Sequence, residues 1–162
     1  MNGRRYHGRH LRMNRYSLVG HAYLVTACCN MRKPIFRNID FGNVIVDEIK
    51  KSDSCKRTLT YAYVVMPDHL HWLFQLQKRN SVSSVVRRIK GGSAYRINKM
   101  RGRRGSIWQS GFHDRLIKSE ESLETVGNYV IHNPVRAGMV ASVDEYPLWH
   151  LMWTRYDLKI RG

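Results

Sequence analysis

The sequence predicts an α+β domain of the ferredoxin-like, split βαβ type, a central antiparallel sheet with helices mainly on one face. Three observations point there. Runs rich in β-branched and aromatic residues alternate with segments of helical periodicity in the order strand, helix, strand, strand, helix, strand, helix. The second and third strands are joined by Met66-Pro67-Asp68, where proline fixes φ and aspartate favours a reversal, so the two strands form a hairpin. The chain has 162 residues, enough for one ordinary core and too few for two. A single domain over residues 1–162 is therefore expected, with a basic arm at 1–15 and a C-terminal tail at 146–162.

Each element has its own signal. His21 to Cys28 reads as a first strand through Tyr23, Val25 and Thr26, and Ile39 to Lys50 as an amphipathic helix with Val44, Ile45 and Ile49 inward. Leu59 to Met66 is the second strand and His69-Leu70-His71-Trp72-Leu73 opens the third. Val82, Val85, Val86, Ile89, Ile97 and Met100 recur at helical spacing behind Asn80 and Ser81, which can cap a helix start. Gly91-Gly92 is expected to weaken that helix midway. Arg101 to Gly105 is a basic, glycine-containing loop. Phe112 to Lys118 follows as a fourth strand and Leu123 to Ile131 as a last helix.

Charge narrows the choice of partner. Lysine and arginine total 28 against 12 acidic residues, a formal charge of +16 and a pI near 10.3. A polyanion answers that charge. The longest apolar runs fall short of the ~18 residues of a spanning helix, so no membrane span is expected. The basic residues recur in several segments, as a nucleic-acid groove built from several elements requires. Arg4, Arg5, Arg12 and Arg15 belong to the N-terminal arm, and Arg87, Arg88, Lys90, Arg101, Arg103 and Arg104 to the second helix and its loop. All are candidates for contacting a DNA backbone, with Trp72, Trp108 and Tyr95 as stacking surfaces for unpaired bases. Asp114 and Arg115 form an internal ion pair or help position a nucleotide. Three cysteines, Cys28, Cys29 and Cys55, make a poor disulfide framework and suit a reducing, cytoplasmic setting.

Two fragments carry chemistry. On a strand, His69 and His71 share one face while Leu70 points to the other, so two imidazoles can chelate one divalent ion. Two partly buried, hydrogen-bonded histidines would explain the pattern equally well. Tyr129 and Asn133 stand four apart, the spacing that stacks side chains on one helix face, and an amide oxygen can be a third ligand. The plainer readings are a tyrosine anchoring a helix and an asparagine ending one before Pro134. If both fragments face one cleft, an ion on the imidazoles would polarise a phosphate that the Tyr129 phenol attacks.

Val64-Val65-Met66-Pro67-Asp68-His69-Leu70-His71, Ile89-Lys90, Trp108-Gln109 followed by Asp114-Arg115, and Tyr129-Val130-Ile131-His132-Asn133-Pro134-Val135-Arg136-Ala137-Gly138 together resemble the REP-associated tyrosine transposases. These are relatives of the single-tyrosine HUH transposases. The resemblance implies the HUH transposase fold, His69 and His71 as metal ligands with Asn133 as the third, and Tyr129 as a nucleophile forming a 5′-phosphotyrosine. It also implies magnesium or manganese, where ligand type alone would allow zinc as well. The implied activity is metal-dependent cleavage and strand transfer of single-stranded DNA beside REP-type hairpins, by a monomer or homodimer in the cytoplasm, at the nucleoid. The tail departs from relatives: Leu148-Trp149-His150-Leu151-Met152-Trp153 stands where they often carry a tryptophan and paired serines. The competing readings are a non-catalytic DNA- or RNA-binding regulator on a ferredoxin-like sheet and a metallohydrolase that uses bound water.

Overall fold

The computed structural model describes residues 17–153. The arm with Arg4, Arg5, Arg12 and Arg15, and residues 154–162 of the tail, lie outside that range. Within it the elements are β1 (Ala22–Cys28), α1 (Ile39–Ser54), β2 (Thr58–Met66), β3 (His69–Leu76), α2 (Val82–Arg101), β4 (His113–Leu116), α3 (Leu123–Ile131), α4 (Asn133–Arg136) and β5 (Trp149–Leu151). The sheet order is β4-β1-β3-β2-β5 with every pairing antiparallel. Its first four members are the ferredoxin-like arrangement expected, and β5 is an addition at the β2 edge.

Alternation along β3 sorts the sheet into two faces. Leu70, Trp72, Phe74 and Leu76 are all at most 2% exposed on one face, whereas His69 and His71 are half-buried on the other. Helix α1 lies on the Trp72 face: Asp53 accepts hydrogen bonds from the Thr58 and Thr60 hydroxyls, and Thr60 in turn accepts from Trp72 Nε1. Helix α2 packs beside α1, joined by Arg96, whose guanidinium donates to Asp47 and to the buried Glu48. Helix α3 covers the opposite face. A Cβ added at Gly127 would meet Ala62 Cβ, and Ala62 stands opposite Leu73, two residues from His71 on the same face.

Strand β2 is buried on both sides, which its continuous apolar sequence requires. A bulge at Tyr61, between Thr60 and Ala62, lets it serve both. Thr58 and Thr60 meet α1, and beyond the extra residue Ala62, Val64 and Met66 turn to the histidine face.

Local signals set the helix ends. Asn38 caps α1 and Ser122 caps α3, while Ser81 and Ser84 form a reciprocal box at the start of α2. Helix α2 runs unbroken through Gly91-Gly92, contrary to the weakening expected, because Gly92 fits against Glu48 of α1 and tertiary packing offsets the poor propensity. Helix α1 extends to Ser54, beyond the expected Lys50, and the fourth strand is only His113–Leu116.

The tail completes the sheet. Strand β5 pairs with Ala62–Val64, Tyr146 Oη donates to Val65 O, and Trp153 stacks on Tyr61. Among the described residues no helix is long and apolar enough to cross a membrane.

Candidate active site

The hairpin loop is only Pro67 and Asp68, which places His69 at the very start of β3. Its Nε2 lies 3.1 Å from His71 Nε2, with the two rings edge to face. The other ring nitrogens are held. His69 Nδ1 is 2.6 Å from Asp68 Oδ1, and His71 Nδ1 is 2.9 Å from the Thr26 hydroxyl on β1. A carboxylate can only accept, so His69 carries its proton on Nδ1 and presents the Nε2 lone pair; the Thr26 hydroxyl can take either role. Two Nε2 atoms aimed at one point, each ring oriented from behind, are what a shared cation needs.

Electrostatics favour the neutral form of His71. His71 is pushed down to about 4, chiefly by burial and then by the positive fields of His69, Arg136 and Arg32. Burial alone would raise Asp68, yet hydrogen bonding and the charge of His69, together with Arg32, hold it below the usual carboxylate range. Arg32 Nε sits 2.9 Å from Asp68 Oδ2 while its NH1 donates to Cys28 Sγ, and both Met31 and Arg32 adopt φ near +55° to place it. Non-glycine residues reach that region only under constraint.

Tyr129 is 62% exposed near the end of α3. The Arg136 guanidinium lies 3.7 Å from its ring centroid and donates to its backbone carbonyl. The charge of the same Arg136 is among the causes that lower His71.

Asn133 is fixed by its proline neighbour. Continued helix would have the N–H of residue 134 bond to Val130 O, but Pro134 has none. The Asn133 side-chain amide takes that place at 2.7 Å, leaving its Oδ1 as the free end of the carboxamide. The helix ends at Ile131, His132 caps both that end and the start of α4, and Asn133 is the first residue of α4. His132 is exposed, and both its Nδ1 and its backbone N–H meet Asn128 O. Among the described residues no group of three or more His, Cys, Asp or Glu side chains converges; two imidazoles and a carboxamide are the available donors.

A family described as transposase, IS200-like, matches residues 17–133. The chain belongs to the IS200-like transposases. A curated Haemophilus influenzae protein assigned to the REP-associated tyrosine transposases is 29% identical over 98 residues, 54% of this chain and 56% of that protein. The matched stretch thus spans about half the length of this relative. Among solved structures, a REP-associated tyrosine transposase bound to a REP hairpin superposes with a TM-score of 0.70 at 24% identity, over 92% of this chain and 85% of that one. That likeness concerns the fold. Membership of the IS200-like transposases supports a transposase-like, DNA-binding role.

The structure sorts the residues expected to meet DNA. Arg87, Arg88, Arg103 and Arg104 are exposed and, among the described residues, in no ion pair. Arg101 is half-buried at the end of α2. Lys90 donates to the carbonyls of Gln109 and Gly111, tying α2 to the following segment. Arg115 pairs with Glu121 through both carboxylate oxygens. Trp72 and Trp108, expected as stacking surfaces, are instead core residues at 1% and 6% exposure, their indole N–H groups spent on Thr60 and Ser93. Tyr95 remains open at 70%. Sequence reading missed Thr26 and Arg32, whose partners His71 and Asp68 are distant in the chain, and Arg136, which meets Tyr129 across the break between α3 and α4; only the Asp68 beside His69 carried a local signal.

Proposed function

We propose that this transposase is a metal-dependent single-stranded DNA endonuclease and strand transferase that cuts beside REP-type hairpins through Tyr129. The single observation that carries the reading is the meeting of His69 and His71 Nε2 on the sheet face against which α3, the helix bearing Tyr129, packs. The donor set fits a divalent ion: His69 and His71 would hold it, with Asn133 Oδ1 as third ligand. Magnesium or manganese bound there would polarise the scissile phosphate and leave positions open for its oxygens.

The protein's own residues supply the rest. Asp68 and Thr26 hold the rings, and Arg136 lies over the Tyr129 ring as a cation beside the phenol. Tyr129 Oη attacks phosphorus; the Oη–P bond forms as the P–O3′ bond breaks, the phenolic proton leaves to solvent, and the departing 3′ oxygen takes up a proton. The products are a free 3′-hydroxyl and a 5′-phosphotyrosine. Because the phosphodiester's energy is kept in the new link, a 3′-hydroxyl can attack it in reverse and rejoin strands without a nucleotide cofactor. Nucleophile and imidazoles come from one chain in this scheme, whether it acts as monomer or homodimer, in the cytoplasm at the nucleoid.

The decisive assay uses a 3′-labelled oligonucleotide carrying a hairpin from beside the coding region, with manganese or magnesium, on a denaturing gel. The wild type is expected to give a metal-dependent labelled band at protein size, and Tyr129→Phe none. Binding of the hairpin with neither adduct nor cleavage would favour the non-catalytic reading, and cleavage without adduct the metallohydrolase.

A further inference from the structure

Two adjacent glycines in α2 have different reasons for being there. Gly92 is demanded from within, since a Cβ at that position would come 2.5 Å from Glu48 Oε2. Gly91 is not: a Cβ there would meet nothing within 4 Å, its backbone is ordinary helix, and it is exposed. A mid-helix glycine weakens a helix relative to alanine, and no internal contact at Gly91 offsets that loss. What the bare position does offer is close approach from outside.

Gly91 opens onto a groove of about 570 Å³ between α2 and residues 105–112, lined among others by Arg87, Ala94, Gln109 and Phe112. Arg87 stands one turn before Gly91 and Tyr95 one turn after, both exposed on the same helix face. Arg103 and Arg104, also exposed, lead into Gly105 at the end of the groove wall. Among the described residues these arginines have no acidic partner, whereas Arg96 on the neighbouring face is neutralised by Asp47 and Glu48. The groove wall hangs from the end of β1: Gln109 N donates to Cys28 O, Asn30 N donates to Ile107 O, and Cys28 is paired with His69. The wall of the groove is thus tied to the end of the strand whose Cys28 stands opposite His69.

We infer that this groove, with Gly91 as its floor, seats a phosphodiester stretch of the DNA substrate away from the cleavage point, its phosphates met by Arg87 and the Arg103-Arg104 pair. The inference rests on the proposal that DNA is the substrate. The test is fluorescence anisotropy with a fluorescein-labelled DNA hairpin bearing a single-stranded flank, across a salt series and without divalent ions, beside thermal melts. Gly91→Ala and Gly91→Leu are expected to raise Tm by about 2–4 °C, since the helix gains propensity and nothing clashes. The same substitutions should weaken binding, several-fold for alanine and about tenfold or more for leucine. Gly91→Ser is expected to fall between wild type and leucine in affinity. Arg87→Ala should lower the slope of log affinity against log salt by about 1. Stabilised Gly91→Leu protein that binds like wild type, or an Arg87→Ala slope equal to wild type, would overturn the groove assignment. Neither result touches the Tyr129 adduct assay, so failure here and failure of the proposed chemistry are read separately.

Discussion

One face of the sheet is sealed and the other is left partly open, and the difference lies in the length of what covers them. Against the Trp72 side lie α1 and α2, of 16 and 20 residues, and every β3 side chain there is buried. Against the histidine side lies α3, of nine residues, placed mainly over β2 and reaching β3 and β5 on either side. It does not extend over β1, and Thr26, Cys28, His69 and His71 stay half-buried at that end. The same strand is thus a core element on one side and a reactive surface on the other. Stability and chemistry are assigned to opposite faces, so substitutions two atoms' width apart along β3 should have unlike consequences.

The widest separation is expected at Tyr129. Tyr129→Phe should reduce covalent adduct formation by roughly 10³-fold or more while hairpin affinity and Tm stay near wild type; an undiminished adduct band would remove the tyrosine from its role. Next comes His71→Ala, or chelation of divalent ions from the wild type. Either should abolish manganese-dependent cleavage, with His71→Ala costing only roughly 1 kcal/mol of stability in denaturant melts. On the sealed face, Trp72→Ala should cost about 3–5 kcal/mol, because a fully buried indole leaves a cavity and takes away the N–H that donates to the Thr60 hydroxyl. Equal destabilisation by His71→Ala and Trp72→Ala would erase the distinction between the faces.

The smallest effect concerns the tail. Tyr146 is pushed up to about 12 by burial, its hydroxyl donating to Val65 O. A raised folded pKa means stability that is full below the unfolded phenol value near 10 and lost as pH climbs toward 12. Tyr146→Phe should therefore flatten the stability profile between pH 10 and 12, and cost about 1–3 kcal/mol at neutral pH by leaving Val65 O without its donor. An unaltered alkaline limb, followed by circular dichroism, would count against that contact.

Legibility in the sequence followed the range of each interaction. Periodicity located the four ferredoxin-like strands and the three main helices, and α3 matched its expected bounds, because apolar spacing and the Ser122 cap are local. The facing imidazoles followed from the two-residue repeat of a strand. Strand β5 escaped notice: three residues in an aromatic-rich stretch have no pattern of their own and become a strand only by meeting the β2 edge. The burial of Trp72 and Trp108 was equally hidden, since a tryptophan near arginines reads the same whether it faces solvent or core. Arg32 and Arg136 could not be told from other surface cations until folding brought them to Asp68 and Tyr129.

The supernumerary Tyr61 is dispensable to the β2–β3 register and serves the C-terminal segment instead. Deleting it would join Thr60 directly to Ala62, whose partners Phe74 and Leu73 are already neighbours on β3, so Thr58 and Thr60 would still face Asp53. What one missing codon would remove is the ring stacked on Trp153 and the carbonyl that accepts from Met152 N, the two ties that fasten the last described residues to the sheet.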